Sequence, residues 1–237
     1  GLVADDGPFD KEAETLRKEF TPAAFSAKTV YLEYLPLEDN FYLDQAFVDR
    51  TKAKITTVAT AKIFDLFQNG AVYLSFFGHG SPNIWADERI WFGGDTINSD
   101  NIRLTNKNHL TFVANMTCNS GAIDYPVPKW NIAISEDMLR QPSGGAIGLF
   151  VPSGPGFSSG HMKLSAALHE AFFEKRVRRM GDATALARSL YLLRKNQVEI
   201  MQMFILLGDP ALALQIPRGD VSLSADKKII SSKELPA

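Results

Sequence analysis

Three observations predict an α/β fold with a mostly parallel central sheet and helices on both faces. Short apolar runs rich in β-branched and aromatic residues recur along the chain. Helical segments separate them, and the connections are long enough for parallel crossovers. With 237 residues, 45% of them apolar and 11% aromatic, the chain can bury the core of one large domain of this class.

Taken in order, Leu2-Val3-Ala4 reads as a short strand closed by the turn Asp5-Asp6-Gly7, and Asp10 opens a helix running to Phe20. Thr29 to Tyr34 is the second strand. A long helix is expected from about Asp44 to Gln68, because Phe47, Val48, Ile55, Val58, Ala59, Leu66 and Phe67 recur at helical spacing, and Asn69-Gly70 closes it. Ala71 to Phe77 is the third strand and Thr111 to Met116 the fourth, separated by a Gly/Asn/Asp-rich stretch from Ser81 to Asn108, long enough to be functional. A helix near Ile134 to Arg140 leads to the fifth strand, Gly145 to Val151. Helices over about Met162–Glu174 and Ala183–Asn196 follow, and a last apolar stretch, Met203 to Leu207, ends at the structural turn Gly208-Asp209-Pro210. One domain over 1–217 is expected, with the polar Ser/Lys-rich segment 218–237 a linker or the start of another module.

Composition narrows the function. Net charge is −2 with both signs interspersed, so no basic face suggests nucleic acid. No run of 18 apolar residues spans a membrane, and the opening Gly-Leu-Val-Ala reads as part of a larger precursor. Four histidines and one cysteine show no zinc-ligand spacing, so no metal is assigned. With a single cysteine no internal disulfide forms, and the compartment stays open.

That cysteine, Cys118, sits where the fourth strand emerges into Asn119-Ser120-Gly121, and His79 lies between two glycines just past the third. A lone cysteine is ordinarily a small buried hydrophobe. At the carboxyl ends of two parallel strands, however, an imidazole can take the thiol proton and leave a nucleophile. The N–H groups of Gly80 and Cys118 itself could then receive an oxyanion. Trp85 and Trp91, in the loop after His79, either line a substrate cleft or anchor the loop to the core. Two other readings compete. Gly156-Phe157-Ser158-Ser159-Gly160 matches the G-x-S-x-G pattern, but Pro152 and Pro155 interrupt the strand-to-turn junction, and His161 and His169 precede Asp182 and Asp209, against the serine-hydrolase order. The other is a catalytically silent recognition domain that keeps the fold without turnover.

Gly78-His79-Gly80-Ser81, Asn-Met-Thr-Cys118-Asn-Ser-Gly, Glu136 in Ser-Glu-Asp-Met-Leu, Gly145-Ala-Ile, Gly208-Asp209-Pro210-Ala-Leu and the opening Val-Ala-Asp-Asp-Gly together resemble the gingipain-type cysteine peptidases from Leu2 to about Pro217. The resemblance implies a caspase-like α/β fold and endopeptidase action through an acyl-enzyme thioester. It implies Cys118 as nucleophile, His79 as acid/base, the Gly80 and Cys118 amides as oxyanion hole, and bacterial export to the cell envelope or beyond. No cofactor is needed for that chemistry. Gingipains place an acid in the S1 pocket for Arg or Lys; here the loop after the fifth strand offers an aromatic wall, Phe157, and no acid. Glu33, Glu38, Asp39 and Asp44 are candidates to orient His79, and Glu33 best matches an acid following a Val-Tyr-Leu strand in relatives; its other reading is a solvated strand-end carboxylate. Asp5 and Asp6 either hold a structural calcium, as gingipain-like domains often do, or shape the turn.

Overall fold

The computed structural model describes residues 1–39, 54–94, 97–124, 132–194 and 198–216. Strand β1 (Leu2–Ala4) leads into α1 (Phe9–Thr15), whose last turns continue as a π-helix to Phe20, and β2 (Thr29–Tyr31) runs into a 3₁₀ turn at Leu32–Tyr34. A two-residue pairing joins β3 (Glu38–Asp39) to β4 (Lys54–Ile55), and α2 (Thr57–Gln68) follows. Then come β5 (Tyr73–Phe77), the ribbon β6 (Gly80–Ser81), β7 (Ile84–Trp85) and β8 (Trp91–Phe92), and β9 (Thr111–Met116). The chain continues through α3 (Ile134–Arg140), β10 (Ala146–Pro152), α4 (Ser158–His169), α5 (Met180–Arg194), α6 (Val198–Met203) and β11 (Phe204–Gly208).

The main sheet has the order β11-β10-β9-β5-β1-β2 and is parallel except for β11, which pairs antiparallel with β10 at one edge. Its strands are buried on both faces, so alternate residues feed two separate cores. Leu2, Ala4, Tyr73, Phe77, Phe112, Ala114, Met116 and Phe150 pack with α1, α4 and α5. Val3, Leu74, Phe76, Val113, Leu149 and Val151 pack with α2, α3 and the two tryptophans of the β6–β8 ribbon. This is the predicted α/β architecture, with helices on both faces.

Three elements differ from their predictions: β2 ends at Tyr31, its expected last residues forming the 3₁₀ turn, Asp10 lies inside a helix that starts at Phe9 instead of opening it, and α2 starts later than its apolar spacing suggests. Lys54–Ile55 is extended and Thr56 caps α2, its Oγ1 accepting the Ala59 N–H at 3.2 Å, so the helix starts at Thr57. A β-branched hydroxyl residue at the N-cap satisfies a donor the helix cannot, and that local bond overrides the apolar spacing upstream. The expected helical stretch 44–53 and the polar tail 218–237 lie outside the described residues.

Candidate active site

β5 and β9 run parallel in register, Tyr73 opposite Phe112, Ser75 opposite Ala114 and Phe77 opposite Met116. Gly78 N–H still donates to the Met116 carbonyl at 3.4 Å, so the pairing persists past the last ladder residues. Two residues beyond Phe77 and Met116 stand His79 and Cys118, brought to the same rim. The His79 ring meets Phe9 of α1 and the Cys118 sulfur meets Gly156 in the loop leading into α4, so both side chains lie toward the face that carries α1 and α4. His79 is exposed and Cys118 half-buried, as access by a ligand requires.

Sulfur is held by the loop after β10. The Gly156 N–H points at Sγ at 3.5 Å, and the thiol donates to the Gly156 carbonyl at 3.7 Å. Asn119, in the left-handed region at φ 57°, turns the chain away directly after the cysteine, its N–H bonding to the Gly154 carbonyl at 3.1 Å. Asparagine tolerates that conformation better than most residues. Asn115, two residues before Thr117, is fully buried and donates to Ser135 Oγ at 3.0 Å.

The imidazole of His79 meets Phe9 edge-on, ring centroids 5.3 Å apart. Its backbone is fixed by Asp5, a residue of the turn after β1. Asp5 N–H donates to the Phe77 carbonyl, Oδ2 accepts the His79 N–H at 2.9 Å, and Oδ1 accepts the Asp6 N–H at 2.9 Å. Gly78 has no side chain because a Cβ there would overlap that of Asp5. Burial pushes the Asp5 carboxyl up to about 6, against the opposing pull of the two N–H donors. Among the described residues no hydrogen bond joins the His79 ring to Sγ; bonds between base and nucleophile commonly tighten only around a substrate.

Gly80 presses against Thr117, whose Oγ1 a Cβ would overlap. It pairs with Trp85, while the adjacent bond runs from Ala86 N–H to the His79 carbonyl at 2.9 Å. In an antiparallel ribbon that makes Gly80 and Trp85 a non-hydrogen-bonded pair, so the Gly80 N–H turns away from β7.

Other candidates fall elsewhere. Trp85 is fully buried and stacked on Phe76 at 4.7 Å, so it is a core side chain and not a wall of the substrate pocket; Trp91 is equally buried. The ribbon folds both indoles onto the sheet, where Trp85 stacks on Phe76 and Trp91 meets Phe67 in the core. Phe157 is 78% exposed beside Gly156 and open to a ligand. Glu33 is exposed at the end of β2, and β1 stands between that strand and β5, whereas Asp5 is a carboxylate that bonds the His79 main chain. Glu38 accepts the Thr57 hydroxyl at 2.8 Å. Both Asp5 oxygens are engaged by main-chain N–H groups, and no group of three or more His, Cys, Asp or Glu side chains gathers around a common point among the described residues. Ser158 opens α4, while the His161 ring, one turn on, lies against Gly156. Among the described residues no hydrogen bond joins Ser158 to a histidine, the base a nucleophilic serine needs.

Fold and rim together define a class: α/β domains whose parallel sheet presents a histidine and a cysteine from adjacent strand ends. The model of peptidase family C25 matches residues 1–215, and the chain belongs to that family. The fold is similar to that of the Arg-specific cysteine proteinase gingipain R, with a TM-score of 0.66 and 16% identity over 90% of this chain and 47% of that one. A complex of the pro- and mature domains of the Porphyromonas gingivalis enzyme RgpB matches with a TM-score of 0.65 and 17% identity, over 90% and 48%. A structure described only as a protease matches at 0.52 and 15%, over 64% and 37%. The chain thus spans about half the length of the gingipain chains it resembles. No curated protein matches it.

Proposed function

We propose that this chain is a cysteine endopeptidase domain that hydrolyses peptide bonds with Cys118 as nucleophile and His79 as acid and base. The observation that carries the reading is the shared register and shared face of β5 and β9, which give one imidazole and the chain's one thiol to the same rim. His79 takes the thiol proton, and Sγ attacks the scissile carbonyl carbon. The carbonyl oxygen becomes an oxyanion facing the N–H groups of Gly80 and Cys118. Collapse breaks the C–N bond, the imidazolium protonates the leaving amine, and a thioester on Cys118 remains. Water then gives a proton to His79 and attacks the thioester carbon, and the C–S bond breaks to release the acid and restore the thiol.

Asp5 supports this chemistry from behind, fixing the main chain of His79, and Phe157 supplies an apolar surface for a substrate side chain. Family membership extends the proposal to a peptide or protein substrate, action outside the bacterial cytoplasm, and synthesis as part of a larger precursor. A peptidyl acyloxymethyl ketone tests the reading by intact mass: one adduct on Cys118 in the wild type and none in Cys118→Ala or His79→Ala. A folded wild type that forms no adduct with any peptide sequence would instead be a silent recognition domain.

A further inference from the structure

His161 is 3% exposed, and its Nε2 has no hydrogen-bond partner. Burial holds its pKa down to about 4, so the ring is neutral. An unsatisfied buried nitrogen costs on the order of 1–3 kcal/mol, which asks for a compensating role. The ring is wedged between two things: the Phe204 ring, centroids 5.4 Å apart at 72°, and the backbone of Gly156, where a Cβ would overlap Nε2 and lie 2.9 Å from Cε1. Gly156 is the residue that handles sulfur. Its carbonyl accepts from the thiol, and its N–H faces Sγ, ready to bond the thiolate once the proton has left.

We propose that His161 is a positioning residue for the nucleophile, acting through Gly156. The inference rests on the reading of Cys118 as nucleophile. The rigid ring backs the glycine against the core, so the Gly156 peptide stays at hydrogen-bonding distance from sulfur in both protonation states. Glycine at 156 and histidine at 161 are then one coupled feature: a methyl at 156 has nowhere to go while the ring is present.

The test is the rate at which iodoacetamide alkylates Cys118, the chain's only thiol, in folded protein at neutral pH, with melting temperature measured alongside. Gly156→Ala should slow alkylation about tenfold, since a displacement near 1 Å at a reacting group costs that much or more. His161→Ala should slow it several-fold, and Gly156→Ala with His161→Ala should label faster than Gly156→Ala alone, because the methyl fills the space the ring leaves. His161→Ala keeps the loop sequence intact and serves should Gly156→Ala not fold. A merely structural role would lower the melting temperature and leave the rate of His161→Ala at the wild-type value, which would overturn the proposal, as would a double variant no faster than Gly156→Ala. A wild type that labels no faster than its urea-unfolded form would overturn the reading of Cys118 itself, whereas fast wild-type labelling without coupling would overturn only the role of His161.

Discussion

Asp5 Oδ2 accepts the main-chain N–H of His79 at 2.9 Å across 74 residues of sequence, so the turn after the first strand fixes the backbone of the proposed base. Removing the carboxylate in Asp5→Ala strips the acceptor from His79 and Asp6. We expect a loss of about 1–3 kcal/mol in unfolding free energy at pH 4, where the folded carboxyl is protonated and the lost acceptor is not offset by relief of a buried charge. Activity should fall by about tenfold or more through kcat, with KM little changed, because substrate contacts remain. Steady-state kinetics beside a urea melt measures both, and unchanged kcat would remove Asp5 from the mechanism.

The same residue gives the domain a pH dependence. Burial pushes the Asp5 carboxyl up to about 6 in the fold from the ordinary 3.8, so the unfolded chain releases this proton first. Below 3.8 the group is neutral in both states and costs nothing. Stability falls as pH rises from 3.8 to 6, and above that the folded state carries a constant penalty of about 3 kcal/mol. Asp5→Asn should flatten that part of the profile; unfolding free energies at pH 4, 5, 6 and 7 that change in parallel in both proteins would count against it.

Gly78 is set by the same contact. Gly78→Ala drives a methyl into the Asp5 Cβ and within 2.8 Å of the Phe76 ring. Overpacking of this kind costs about 1–3 kcal/mol. Chemical denaturation should register the loss, together with reduced activity as the His79 turn shifts.

Two aromatic residues separate stability from recognition. Trp85→Ala empties a fully buried site stacked on Phe76 and should cost about 3–5 kcal/mol. Phe157→Ala, at an exposed position, should stay within about 0.5 kcal/mol of wild type while raising KM for peptides. Equal stability losses in the two variants would contradict the burial that distinguishes them.

How far the sequence could be read follows from what is local in it. Thr111–Met116 was legible to the residue, because an apolar run bounded by polar turn residues has one interpretation, and that run is what puts Cys118 at a strand end. Ile134–Arg140 was equally plain. The start of α2 was not: apolar spacing alone does not report a capping hydroxyl, and Thr56 ends the helix that the spacing extended. Asp5 was visible as a turn residue, yet its bond to His79 depends on β1 lying between β2 and β5. Strand order is a non-local property, so Glu33, at the same rim in sequence terms, stood as the better candidate. Trp85 could face a cleft or the core, and only the fold of the β6–β8 ribbon decides. The Gly156–His161 contact has a sequence trace in the Gly-Pro-Gly-Phe loop, but the period of a helix does not say which way its first turn faces.

Cleavage of a mixed peptide library by the purified chain, read by mass spectrometry, tests the central claim most directly. The account predicts new termini with wild-type protein and none with Cys118→Ala or His79→Ala, both still folded by circular dichroism. Undiminished cleavage by folded Cys118→Ala would contradict it.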